Sequence, residues 1–69
     1  MTYFAFKNRR NGRYISGTDF RTSPHRQILS NKDRPPKLFR ECQLKGEMLY
    51  RGISEKTYKI VMVEVKEIT

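Results

Sequence analysis

One cysteine and one histidine in 69 residues deprive this chain of the two staples on which very small domains commonly rely. Cys42 alone cannot close an internal disulfide, and Cys42 with His25 falls short of the four ligands of a structural zinc site. A chain of this length hides only about 60% of its unfolded surface, so a small core and no deep cleft are expected. The expectation is one domain over residues 1–69, stabilised by close packing or by self-association as a homodimer. A lone thiol fits a reducing compartment. Met1 to Lys7 is apolar but too short for the core of an export signal, with no basic residues ahead of it. No stretch approaches the ~18 apolar residues of a membrane span, so a cytoplasmic protein without membrane contact is expected.

Charge is distributed very unevenly. The net charge is +8, and residues 1–40 hold ten basic side chains against Asp19 and Asp33. Residues 41–69 are balanced, five basic against five acidic. Seven of the ten N-terminal cations are arginine, whose planar fork of donors suits phosphate or carboxylate better than the point charge of lysine. Such a bias can be merely solubilising. Its one-sidedness favours an anionic partner.

Alternation of Phe4 and Phe6 with Tyr3, Ala5 and Lys7 predicts a strand over Tyr3–Lys7. Asn8 to Gly12 predicts a tight turn, since Asn-Gly supplies positive φ, and Arg13 to Ser16 is the expected return strand, ended or bulged at Gly17. Tyr3 and Tyr14 would then be cross-strand neighbours. Residues 17–26 are expected to be an exposed loop, Gln27–Ser30 a short strand, and Asn31–Pro36 a loop stiffened by Pro35-Pro36. A helix is expected within residues 37–51, with Gly52 as its C-cap. Its register is open. Leu38, Phe39, Cys42, Leu49, Tyr50 and Ile53 share about a third of the circumference, with Leu44 and Met48 opposite. A start near Glu41 would instead make Leu44 and Met48 the core face. Thr57–Ile68 reads as a long strand, interior because Ile60 to Val63 is apolar on both faces. The class is α+β: a small antiparallel sheet of three or four strands with one helix, in the order β-β-(β)-α-β.

Catalysis is not expected. Cys42 falls among apolar helix positions, where cysteine acts as a small buried hydrophobe, and His25 lies in a polar loop. The carboxylates are scattered, no glycine-rich phosphate loop is present, and neither a cofactor nor a small-molecule substrate is indicated. The informative feature is the basic, aromatic-interleaved N-terminal half. Arg9, Arg10, Arg13, Tyr14, Arg21, Arg26, Lys32 and Arg34 are the candidate contacts, because cations that reach phosphates and rings that stack on bases are the working parts of nucleic-acid modules. An acidic protein surface is the competing partner, since arginine is also a frequent anchor at protein interfaces. Leu44 and Met48, or the opposite stripe if these two are core, are the candidate self-association or docking residues.

Tyr3-Phe4-Ala5-Phe6-Lys7-Asn8, the stretch Asn11 to Gly17, Arg26-Gln27-Ile28-Leu29-Ser30 and Tyr58 to Val65 together resemble a loose group of short proteins encoded in phages and prophages of Gram-positive bacteria. The resemblance implies an accessory phage protein, of a kind that often modulates host factors. It carries no catalytic or binding residues with it.

Overall fold

The computed structural model describes residues 2–64. In chain order it has strands β1 (Thr2–Asn8), β2 (Ile15–Asp19) and β3 (Arg26–Leu29). A 3-10 turn over Glu41–Gln43 then runs directly into helix α1 (Leu44–Arg51), and strand β4 (Tyr58–Glu64) follows. The α+β class and the order of elements agree with the sequence. The strands form two separate two-stranded antiparallel ladders, β1–β4 and β2–β3, where one sheet was expected.

The division begins at the Asn-Gly turn. Asn8 Oδ1 accepts from the Arg10 and Asn11 amides at 2.8 and 3.2 Å, Asn11 Oδ1 accepts from Arg13 N–H, and Gly12 takes the left-handed φ of 73°. The turn forms as expected, but the hairpin closes through a single bridge, Lys7 to Tyr14. Tyr3 lies opposite Val63, so the anticipated Tyr3–Tyr14 pair does not form. At Ser16 the register shifts between Ile15 and Gly17, and β2 departs to pair with β3. The physical reason lies in cross-strand partners. β2 offers one apolar side chain, Ile15, whereas β4 sets Met62, Val61 and Ile60 opposite Phe4, Ala5 and Phe6. Strand structure therefore takes in both ends of the loop expected over residues 17–26, Gly17–Asp19 and Arg26, leaving 20–25 as the connecting turn.

β1 occupies the middle of the molecule. β4 pairs along one edge in an unbroken register from Thr2↔Glu64 to Asn8↔Tyr58. The other edge takes Tyr14 at Lys7 and Phe39 at Phe4, where Phe4 and Phe39 exchange backbone hydrogen bonds of 2.8 Å in both directions. Residues 37–40 are thus an extended strap, helped by Pro35-Pro36, with Lys37 N–H donating to Ile15 O. β4 was expected to be interior. Among the described residues it pairs only with β1, so it is an edge strand, with Met62 70% exposed. The predicted continuation over Val65–Ile68 lies outside the described residues.

The buried core is Phe6, Ile15, Phe39 and Ile53, with Leu29, Leu44, Met48 and Tyr58 packed against it. Phe6 and Phe39 meet edge to face, ring centres 5.2 Å apart. The helical segment begins at Glu41, and the stripe Leu44, Glu47, Met48, Arg51 faces inward at i, i+3, i+4 and i+7. Leu44 and Met48 are therefore core-facing, and the exposed apolar pair is Leu49 and Tyr50 on the other side. Cys42 follows that outer side and is exposed, correcting the expectation that it is buried. Gly52 caps the helix in the left-handed region at φ 65°, and Ile53 N–H donates to Met48 O.

Candidate functional site

The eight candidate contacts fall into two groups at opposite ends of the β2–β3 ladder. At one end is the β1–β2 turn with Arg9, Arg10 and Arg13. Arg13 Nε donates to Ser30 O at 2.9 Å, Ser30 N–H donates to Tyr14 O, and Tyr14 N–H donates to Ser30 Oγ. These bonds hold the turn beside the 31–34 turn that carries Lys32 and Arg34, where Asn31 Oδ1 accepts from the Asp33 and Arg34 amides. Tyr14 is half-buried, with Lys7 Nζ 5.8 Å from the centre of its ring. Arg9, Arg10, Arg13, Lys32 and Arg34 are all exposed.

The β1–β4 ladder adds cations to this end that the sequence did not associate with it. Lys59 lies directly opposite Lys7. Arg9 N–H donates to Thr57 O and Arg9 Nε to Glu55 O at 3.0 Å, which fastens the Ser54–Thr57 turn, and Lys56 with it, beside the arginine turn. Like charges placed directly across a ladder destabilise it, so Lys7 and Lys59 carry a cost that folding alone does not explain. Asp33 and Glu55 are the acidic side chains at this end, and neither forms an ion pair with any described residue. The result is a patch of uncompensated cations, exposed except for the half-buried Lys7. Pairing of residues about 50 positions apart in the chain had no local signal by which to be found.

At the other end, Arg21 and Arg26 flank the β2–β3 turn, about 13 Å from the Ile15–Leu29 end of the ladder at ~3.3 Å per residue. That exceeds the ~8 Å over which exposed charges act at physiological salt. Arg21 grips Asp19 in a bidentate pair, Nε and Nη2 donating at 3.0 and 3.1 Å. The hydrogen bonds from Arg21, with Coulombic help from Arg21 and Arg26, hold the Asp19 carboxyl well below the usual carboxylate range, at about 2. His25 and Tyr50 pack on Phe20, with ring centres 4.8 and 5.0 Å away.

Arg51, which the sequence did not single out, fastens this end. It is 9% exposed. Its Nε donates to Glu47 at 2.7 Å, its Nη1 donates to Thr18 Oγ1, and its guanidinium lies 5.7 Å from the Phe39 ring centre. Thr18 Oγ1 donates to Gln27 Oε1, and Gln27 Nε2 donates to Arg51 O at 2.6 Å. A closed set of hydrogen bonds therefore docks the C-terminal end of α1 onto β2 and β3.

The candidate nucleophile and base occupy different kinds of place. His25 lies against Phe20 with Nδ1 3.0 Å from Thr22 O, while Cys42 is exposed on the 3-10 turn. Among the described residues no group of three or more His, Cys, Asp or Glu side chains is arranged to hold a metal, and no helix is long and apolar enough to cross a membrane. No protein-family model matches this chain, and neither a curated protein nor a solved structure matches it.

Proposed function

We propose that this protein is a non-catalytic binding module that contacts nucleic acid through the basic end formed by Lys7, Arg9, Arg10, Arg13, Lys32, Arg34, Lys56 and Lys59. One observation carries the proposal: the cations of three turns and one ladder end converge on a surface where no acidic side chain among the described residues pairs with them. Uncompensated arginines and lysines bind phosphates by displacing condensed counterions, which gives affinity without sequence discrimination. Arg21 and Arg26 contribute little, because Arg21 is already committed to Asp19. The resemblance to short phage and prophage proteins supports an accessory role for such a module in the cytoplasm of a host cell.

Any chain of this charge adheres to nucleic acid at low salt, so the test compares charge positions at near-physiological salt. Replacing Arg9, Arg10 and Arg13 by alanine should weaken binding about 10- to 100-fold. It should also flatten the plot of log affinity against log salt by up to about 2.7, from three contacts at about 0.9 each on a duplex. Replacing Arg21, Arg26 and Arg40 removes the same formal charge elsewhere and should change affinity less than about threefold. Equal weakening by both variants would reduce the interaction to net charge.

A protein partner is the second reading, favoured by the exposed side of α1. Leu49 is 80% exposed, and it lines, with Met48 and Ile53, a shallow depression of about 320 Å³ edged by Lys45 and Glu55. Host proteins retained after nuclease treatment, and lost with Leu49→Asp, would support this reading over the first.

A further inference from the structure

Among the described residues the outer edge of β4 has no partner strand, and its backbone polarity follows from the register. Phe4 exchanges backbone hydrogen bonds with Phe39, and Asn8 donates to Arg13 O and accepts from Gly12 N–H, all on the side of β1 away from β4. Even-numbered residues of β1 thus point their backbone groups away from β4, and odd-numbered ones point toward it. With Ala5 opposite Val61, the odd-numbered residues of β4 bond to β1, and the N–H and C=O groups of Ile60 and Met62 lie along the free edge. Among the described residues nothing pairs with them. Exposed edges are commonly blunted by proline, a bulge or a central charge. Ile60-Val61-Met62-Val63 has none of these, and Ile60 and Met62 are 44% and 70% exposed.

We infer that β4 pairs antiparallel with β4 of a second copy, giving a continuous four-stranded sheet in the order β1-β4-β4-β1 about a two-fold axis at Val61. The occupant follows from the composition of the edge. A two-fold axis perpendicular to the sheet pairs residues of the same face, and full overlap of Tyr58–Glu64 with itself centres on Val61. Ile60 then meets Met62 of the second copy as a hydrogen-bonded pair, joining the groups left open on both edges, and the two Val61 side chains meet on the axis. Lys59 falls opposite Val63 and Glu64 opposite Tyr58, so no like charges oppose each other. A centre one pair earlier, at Lys59 in the same hydrogen-bonding sense as β1 uses, would set Lys59 against Lys59.

The +8 charge of each copy does not forbid this arrangement. The cationic end adjoins Tyr58, and antiparallel pairing sends the two Tyr58 residues to opposite ends of the new ladder, about 20 Å apart at ~3.4 Å per residue. Exposed charges are screened over ~8 Å at physiological salt. One strand pair is a small interface, so the expected dimer is weak and visible at high micromolar concentration. It does not depend on any nucleic-acid role.

Sedimentation velocity from micromolar to sub-millimolar concentration tests the inference on the intact chain, together with hydrogen exchange at the two extremes. The weight-average mass should rise toward twice the monomer and should not fall when salt is raised. The Ile60 and Met62 amides should become protected only at the high concentration. Met62→Pro removes an outward N–H while sparing the β1 ladder, so it should remain monomeric with an unchanged circular-dichroism spectrum. If that variant does not fold, Ile60→Lys with Met62→Lys decides, because it sets lysines against lysines across the axis. A wild-type protein monomeric throughout the range would overturn the inference. So would a dimer that persists in either folded variant, or one whose Ile60 and Met62 amides exchange equally at both concentrations.

Discussion

The two ends of the β2–β3 ladder use the same residue type in opposite ways. At the Tyr14–Ser30 end, arginines donate to backbone carbonyls and leave their charge facing outward, as Arg9 does to Glu55 O and Arg13 to Ser30 O. At the Asp19–Arg26 end, arginines are matched to carboxylates, Arg21 to Asp19 on the surface and Arg51 to Glu47 under it. A carbonyl fixes a guanidinium in place without neutralising it, whereas a carboxylate does both. The first end is thus built as a charged surface and the second as a fastening. Mutations should separate binding from stability along this line.

The largest expected effect is at the fastening. Arg51→Met keeps the apolar stem but strands Glu47 and Thr18, and should cost about 2–4 kcal/mol of unfolding free energy. The folded fraction should bind nucleic acid with an unchanged salt slope. A lowered slope, measured well below the melting transition, would show that the two ends are not independent.

A smaller effect of opposite sign is expected at the charged end. Lys59→Glu replaces a like-charge pair with Lys7 by an opposite one and should raise stability by about 0.2–1 kcal/mol. The same change should weaken nucleic-acid binding several-fold, because it removes one cation and adds an anion to the patch. Stability and affinity moving in the same direction would remove Lys7 and Lys59 from the proposed surface.

The smallest effect is confined to acid. The Asp19 carboxyl is lowered to about 2 when folded, so its ion pair adds stability that is fully present above the ordinary carboxylate pKa of about 3.9. That contribution is lost as pH falls toward 2. Asp19→Asn should lower stability at pH 7 only slightly, since Arg21 is solvent-exposed, and should flatten the acid limb of the stability profile by the same small amount. An acid limb identical in both proteins would assign the pH dependence to other carboxylates.

Features set by neighbouring residues were legible in the sequence. Asn8 to Gly12 announced a turn, Gln27 to Ser30 a short strand that forms over Arg26–Leu29, and Gly52 a left-handed cap, each through local chemistry. Apolar periodicity left two helix faces open and could not choose the one that forms, with Leu44 and Met48 inward, because two of the four inward residues, Glu47 and Arg51, are charged and satisfy one another. Cys42, Leu49 and Tyr50 made the opposite face look like core. The basic surface was half legible. Arg9, Arg10 and Arg13 are consecutive enough to be seen, whereas Lys56 and Lys59 reach them only through a long-range ladder.

That ladder also sets an order of assembly. β2 and β3 are joined by six residues, while Asn8 and Tyr58 are separated by 50. The additional loop-closure entropy, (3/2)RT ln(50/6), is about 2 kcal/mol against the long-range pairing. During synthesis at about 5–20 residues per second, β1 emerges first and waits several seconds for β4. Throughout that interval Phe4 and Phe6 lack their ladder partners, and only the short-range ladder and the Phe39 strap are available to cover them. The strand at the centre of the finished protein is therefore the first made and the last completed on both edges.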